Sequence, residues 1–228
     1  MQSEELEKDY SAVASEYEHT RYGSWPGRFV ARCEIGLLRR AIDAHATSRR
    51  VLLDVACGTG HFTSRVADLF EEVVGVDFTH AMLTRVRLSL KRVCLVQASV
   101  AALPVVDGSC DVVLSTRFLH LFPRAMHREI LEALLRPLRR GGVLIVDHDT
   151  RFVEWRGRDQ LKPDKRHSYD SHETPRGGRC VARLGVSGPR LPALALKWPR
   201  VADWLTKCFV YSPLNRVSTI LVVVYVKQ

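Results

Sequence analysis

The rhythm of hydrophobic positions changes along the chain. From Ser3 to Arg21 the residues are mostly polar, with Leu6, Tyr10, Val13, Ala14 and Tyr17 recurring every three to four positions. That spacing predicts a helix with one apolar stripe. After Pro26 and Gly27, the stretch Arg28–Ala46 carries Phe29, Val30, Ile35, Leu37, Leu38 and Ile42 and predicts a second helix. From Val51 short continuous apolar runs take over, at Val51–Val55, Val73–Val76, Val93–Val96, Val112–Ser115 and Val143–Val146. Helical patterns lie between them at 60–69, 81–91 and 124–139. Apolar strands alternating with helices predict a parallel sheet covered on both faces, hence an α/β, doubly wound, Rossmann-like fold.

Beyond residue 150 the pattern loosens. Arg151–Arg190 holds ten Lys and Arg against five Asp and Glu, with several Gly and Pro and little periodicity. It reads as an insertion or mobile cover, not a second domain. Val201–Lys207 suggests a short helix, and Cys208–Tyr211 and Thr219–Val226 read as two strands joined through a turn at Pro213 and Asn215. The expected organisation is a single domain over 1–228: N-terminal helices in 1–46, a core in 51–150, the basic insertion or cover in 151–200 and a closing hairpin in 201–228.

Composition narrows the class. The chain has 228 residues, 46% hydrophobic and 26% charged, enough to bury a real core and too apolar for intrinsic disorder. No apolar run approaches the ~18 residues of a membrane span, and the acidic start MQSEELEKDY lacks an apolar stretch of the secretory kind. The six cysteines never form CxxC, which favours free thiols in a reducing, cytoplasmic setting over disulfides or structural zinc. A net charge of +9 permits a polyanionic partner without requiring one.

The chemistry concentrates in Leu52–Thr63, LLDVACGTGHFT. A buried strand ends in a glycine turn and opens a helix, and Gly58 and Gly60 let the backbone turn tightly and approach a ligand. Asp77 ends the next strand, placed to accept the two hydroxyls of an adenosine ribose or, alternatively, to cap the following helix; Phe78 beside it offers a face for a purine. A dinucleotide turn would need a third small residue where Thr63 stands. Asp54 adds a carboxylate four residues before Gly58, which would repel a pyrophosphate and attract a ligand bearing an ammonium and a sulfonium. S-adenosylmethionine is that ligand.

The ordered runs DVACGTG, GVD, ALPVVDGSCDVVLS and LRRGGVLIV resemble the motifs of class I S-adenosylmethionine-dependent methyltransferases, over about Val51–Asp147, and look most like the ubiquinone/menaquinone C-methyltransferase type. The resemblance implies a seven-stranded sheet with a reversed last strand and the product S-adenosylhomocysteine. It also implies that Asp54, Ala56, Gly58 and Gly60 meet the methionine portion of the cofactor. Asp77 and Phe78 then hold ribose and adenine, with Met82 packed nearby. Ser99 stands where the family often has an acid for the adenine amino group, a role Ser99 or the Val100 backbone would take over. Ser115, Thr116 and Arg117 follow the fourth strand, where the family lines its transfer site; without an acid there, a divalent-metal mechanism is not expected. Upstream, YSAVASEYEHTRYGSWP is similar to the N-terminal signature of tRNA wobble-uridine carboxymethyl methyltransferases. Tyr17, Arg21, Tyr22 and Trp25 are thereby candidates for lid, cofactor or acceptor contacts, the other reading being helix packing on the sheet edge.

Among catalytic candidates, His120 is the best-placed base, set against a plain buried histidine at a helix start. Arg117 offers a bidentate grip on an anionic acceptor, set against solvation. The Asp147–His148–Asp149 triplet reads as a strand-end loop. The leading expectation is methyl transfer to a small-molecule acceptor. Its alternatives are a tRNA methyltransferase using the basic segment on RNA, a non-catalytic adaptor and, more remotely, a dehydrogenase. Oligomeric state is not legible.

Overall fold

The computed structural model describes residues 10–87, 93–149, 174–186, 197–198, 201, 204, 218 and 220–228. The N-terminal segment is helical at 10–13, turns at 14–16 and resumes as α1 (Tyr17–Tyr22). Helix α2 (Trp25–His45) starts three residues earlier than its apolar pattern. The reason is local: the Ser24 side chain accepts the Gly27 N–H at 3.2 Å, and proline fits the first turn, where its missing N–H costs nothing. A dipeptide that looked like a break is a helix start.

The core then alternates as expected: β1 (Val51–Val55), α3 (Thr63–Val66), β2 (Glu72–Asp77), α4 (His80–Leu83), β3 (Val93–Gln97), β4 (Cys110–Ser115), α5 (Arg124–Leu135), β5 (Leu138–Asp149), β6 (Gly178–Gly185) and β7 (Ile220–Lys227). The seven strands run in the order β3-β2-β1-β4-β5-β7-β6. The first five are parallel, while β7 runs antiparallel to both β5 and β6. Each face of the sheet buries its own layer. Leu52, Val112, Leu114 and Ile145 meet Leu38 and Ile42 of α2, and Leu53, Val113, Leu144 and Val223 meet Leu131 and Leu134 of α5. These are the continuous apolar runs seen in sequence, with odd and even residues serving opposite layers.

Four expectations are corrected. Strand β5 begins at Leu138, inside LRRGG, because Gly141 takes φ +75° and the register with β4 shifts between Cys110 and Val112, so the chain bulges without leaving the sheet. It also continues to Asp149, so the Asp147–His148–Asp149 triplet lies in a strand and not in a loop. Strand β6 falls within the segment read as an insertion or cover and forms a sheet edge. Helix 124–139 stops at Leu135, just ahead of Pro137. The strand expected at Cys208–Tyr211, the turn after it and most of 201–207 lie outside the described residues. Among the described residues no helix is long and apolar enough to cross a membrane.

Candidate functional site

The carboxyl ends of β1, β2 and β4 open into a cavity of about 530 Å³, where ligands of open α/β sheets are expected. Its floor is the turn after β1. Ala56 (φ +61°), Gly58 (φ +55°) and Gly60 (φ +76°) are all left-handed, three such residues within five. A Cβ on Gly58 would meet nothing within 4 Å, so the backbone there faces open space on the cavity wall. Gly60 serves differently: its Cβ would come 2.9 Å from Val86 Cγ1, and it does not line the cavity. Its freedom is spent on turning and packing.

Asp77 joins the turn to the next strand. The Gly58 N–H donates to one carboxylate oxygen and the Thr79 N–H to the other, both at 2.8 Å. Burial lifts the Asp77 carboxyl above its ordinary range against the pull of those two bonds. The Thr79 side chain adds a further hydrogen bond to the same carboxylate. Phe78, about one-third exposed, forms the rim beside it. Met82, Ser99 and Val100 complete this end, with the Ser99 hydroxyl accepting the Ala101 N–H at 3.3 Å.

Asp54 does not face the cavity. It is 1% exposed, and one of its oxygens accepts the Thr63 hydroxyl at 2.5 Å while the other has no hydrogen-bond partner. Burial, with Asp77 adding to it, pushes its carboxyl up to about 7. The expected attraction for a cation therefore acts from behind the loop, through a group only partly ionised at neutral pH. Asp54 nevertheless occupies the position that Thr63 requires: the residue that breaks the dinucleotide pattern is the one that satisfies this acid.

The roof is α1. Tyr17 and Tyr22 both line the cavity, and Tyr22 stacks on His61 (ring centroids 3.6 Å apart, planes 11° apart) with an edge contact to Phe62. Glu18, from the same helix, takes the Thr59 hydroxyl and the His61 ring. Thr59 and His61 belong to the run that the sequence singled out, yet their role was not legible without knowing that α1 folds onto them. Trp25 stacks on Phe29 instead, and Arg21 lies over the Tyr17 ring.

The far wall is built on β4. Thr116 and Arg117 line the cavity; Ser115 and His120 are buried and do not. Arg117 is left-handed (φ +57°), and Asp147 holds it there by accepting its backbone N–H at 2.6 Å. The Arg117 guanidinium donates to Glu34 on α2 at 2.6 Å and lies 3.4 Å from the second Asp147 oxygen. Glu34 and Asp147 are almost wholly buried. Burial and the neighbouring Glu34 raise the Asp147 carboxyl well above its ordinary range, the signature of two acids and one guanidinium sharing a dry site. Arg117 is thus engaged by two protein acids while its side chain remains partly exposed on the cavity wall. His148, on the other side of the same strand, is driven down to about 3 by burial and stays neutral.

Of the residues expected at the site, the fold brings Tyr17, Tyr22, Ala56, Gly58, Asp77, Phe78, Met82, Ser99, Val100 and Arg117 to one cavity and leaves Asp54, Gly60, Ser115 and His120 behind its walls.

With that geometry established, comparison with known proteins is informative. Residues 53–146 match the family described as a methyltransferase domain. A probable S-adenosylmethionine-dependent methyltransferase of Mycolicibacterium smegmatis is 33% identical over 117 residues, 51% of this chain and 44% of that protein. A tRNA (carboxymethyluridine(34)-5-O)-methyltransferase of Mus musculus is 29% identical over 149 residues, 64% of this chain but 20% of that protein. The chain thus spans less than half the length of these relatives. Among solved structures, magnesium protoporphyrin IX methyltransferase of Synechocystis with bound S-adenosylhomocysteine superposes with a TM-score of 0.69 over 100% of both chains at 11% identity, a likeness of fold. Sheet order and family match agree on the fold: residues 53–146, which match the methyltransferase-domain family, form the parallel core of a Rossmann-like sheet.

Proposed function

We propose that this chain binds S-adenosylmethionine across the β1–β2 end of the cavity and directs its methyl group to a small acceptor entering between Arg117, Thr116 and the α1 tyrosines. The observation that carries the proposal is continuity: the glycine turn, Asp77 and Phe78 share one cavity with Tyr17, Tyr22 and Arg117. The donor, when bound, supplies an electrophilic methyl on a positively charged sulfur.

Everything else falls to the protein. Asp77 fixes the ribose end, Gly58 lets backbone come within contact, and α1 excludes water from the transfer line. No side chain lining the cavity is offered as an essential base. His120 is buried and does not line the cavity, so a proton lost by the acceptor would leave after transfer. Because Arg117 is already paired with Glu34 and Asp147, an acceptor with a neutral reacting group suits this wall better than an anionic one.

The second reading is methylation of tRNA, favoured by the 29% identity to the mouse enzyme, whose name specifies a carboxymethyluridine. A carboxylate on such a base would compete with two buried acids for Arg117. Incubation with labelled donor and separate pools of metabolites, tRNA and protein tests the choice. Label in the metabolite pool supports the first reading, and label in tRNA that falls steeply with added salt supports the second. Absence of calorimetric heat with S-adenosylmethionine and S-adenosylhomocysteine would overturn both.

A further inference from the structure

We propose that Glu18 is a positioning residue for the methyl donor: it latches α1 onto the glycine turn, so that seating the cofactor and closing the roof are one coupled event. The inference rests on reading residues 56–60 as the donor turn.

The carboxylate of Glu18 divides its two oxygens between Thr59 in that turn and His61 just past it. The Thr59 hydroxyl donates to one at 2.5 Å, and the His61 ring nitrogen Nδ1 lies 2.9 Å from the other. Tyr22, four residues on and therefore on the same helix face, stacks flat against the same imidazole. One face of α1 thus grips His61 twice, by hydrogen bond and by ring. Thr59 stands between Gly58 and Gly60, the two left-handed glycines, so the latch holds the part of the loop with the greatest backbone freedom. Burial alone would raise the Glu18 carboxyl. The bonds from His61 and Thr59, with Arg65 nearby, outweigh it and hold the group below its ordinary value, so the ionised form is the one the loop prefers.

The consequence follows from linkage. Tyr17 and Tyr22 form cavity wall only while α1 is seated, and α1 is seated through residues flanking Gly58. A ligand that orders the turn strengthens the latch, and the latch must strengthen the ligand by the same factor. The roof must also lift for the spent cofactor to leave, so the latch acts chiefly on the release rate.

The test uses S-adenosylhomocysteine with the full chain, comparing wild type with Glu18→Ala, Glu18→Gln, His61→Ala and the Glu18→Ala/His61→Ala double variant. The latch predicts affinity about tenfold weaker in Glu18→Ala, as for a charge-assisted bond discounted for partial exposure. The loss should lie in faster release by stopped flow, and the double variant should be no worse than the more severe single. Ligand should also protect wild type, but not Glu18→Ala, from tryptic cleavage after Arg21, read by mass spectrometry. Should Glu18→Ala lose its far-ultraviolet signal, the isosteric Glu18→Gln and the loop-side Thr59→Val carry the same predictions. Unchanged affinity, release and protection in the folded variants overturn the latch. Failure of wild type to bind would instead overturn the donor-turn reading beneath it.

Discussion

The two ends of the cavity are built by different means. At the proposed donor end the working parts are backbone: Ala56 and Gly58 hold left-handed angles, and Asp77, 19 residues beyond Gly58, receives the Gly58 N–H. At the opposite end they are charges imported from a distance. Arg117 meets Glu34 across 83 residues and Asp147 across 30. A site for a shared cofactor can be written in one short segment because its recognition is mostly main chain. The wall that meets the acceptor needs side chains that several elements bring together, and that is where methyltransferase domains are free to differ.

Breaking the donor end should have the largest effect. Gly58→Val places a β-branched residue at φ +55° and pushes it toward the ligand. S-adenosylhomocysteine binding should fall at least ~100-fold by calorimetry, with left-handed strain adding ~1–2 kcal/mol of lost stability. Asp77→Ala should match it in binding but unfold at a lower temperature, since it also orphans the Gly58 and Thr79 N–H groups.

At the acceptor end, stability should respond before binding does. Arg117→Met leaves two buried acids facing each other and should cost ~3 kcal/mol in urea unfolding, with donor affinity changed less than threefold. If donor affinity collapsed instead, the division between the two ends would be wrong.

Asp54 sharpens the comparison through pH. Its folded pKa of about 7 lies above the unfolded value of 3.8, so its contribution is intact in acid and is lost as pH climbs from about 4 through about 7. Thermal unfolding across that window should show a downward slope that Asp54→Asn makes shallower, with the raised Asp77 and Asp147 carboxyls supplying the rest. The smallest effect is expected at the exposed Arg39–Asp68 pair, bonded at 2.6 and 2.8 Å, where Asp68→Asn should change stability by less than ~1 kcal/mol and leave binding untouched.

Legibility followed the same division. The strands of the core, the glycine turn and the acid after β2 could be read because each is a local pattern. What escaped was set by partners far away in sequence. Asp54 looked like a ligand contact until Thr63 was seen to take it inward. Arg117 looked available until Glu34 and Asp147 were placed beside it. His61 and Thr59 carried no signal of their own, since only the folding of α1 onto the turn gives them work. Strand β6 was hidden by the basic composition around it and by the bulge between Cys180 and Ala182, which breaks the period of two and sends Cys180 to one layer and Ala182 and Leu184 to the other.

The place of β7 constrains how the molecule assembles. Among the described residues β6 joins the sheet only through β7, which is made some 35 residues later and slots in from the opposite direction. Until β7 is made, β5 has an open flank and β6 has no partner among the described strands, an exposure typical of slow, non-local pairings. Strand β7 thus secures β6 and covers the free flank of β5 together, and losing Ile220–Lys227 should expose that flank, where β5 keeps only its pairing with β4.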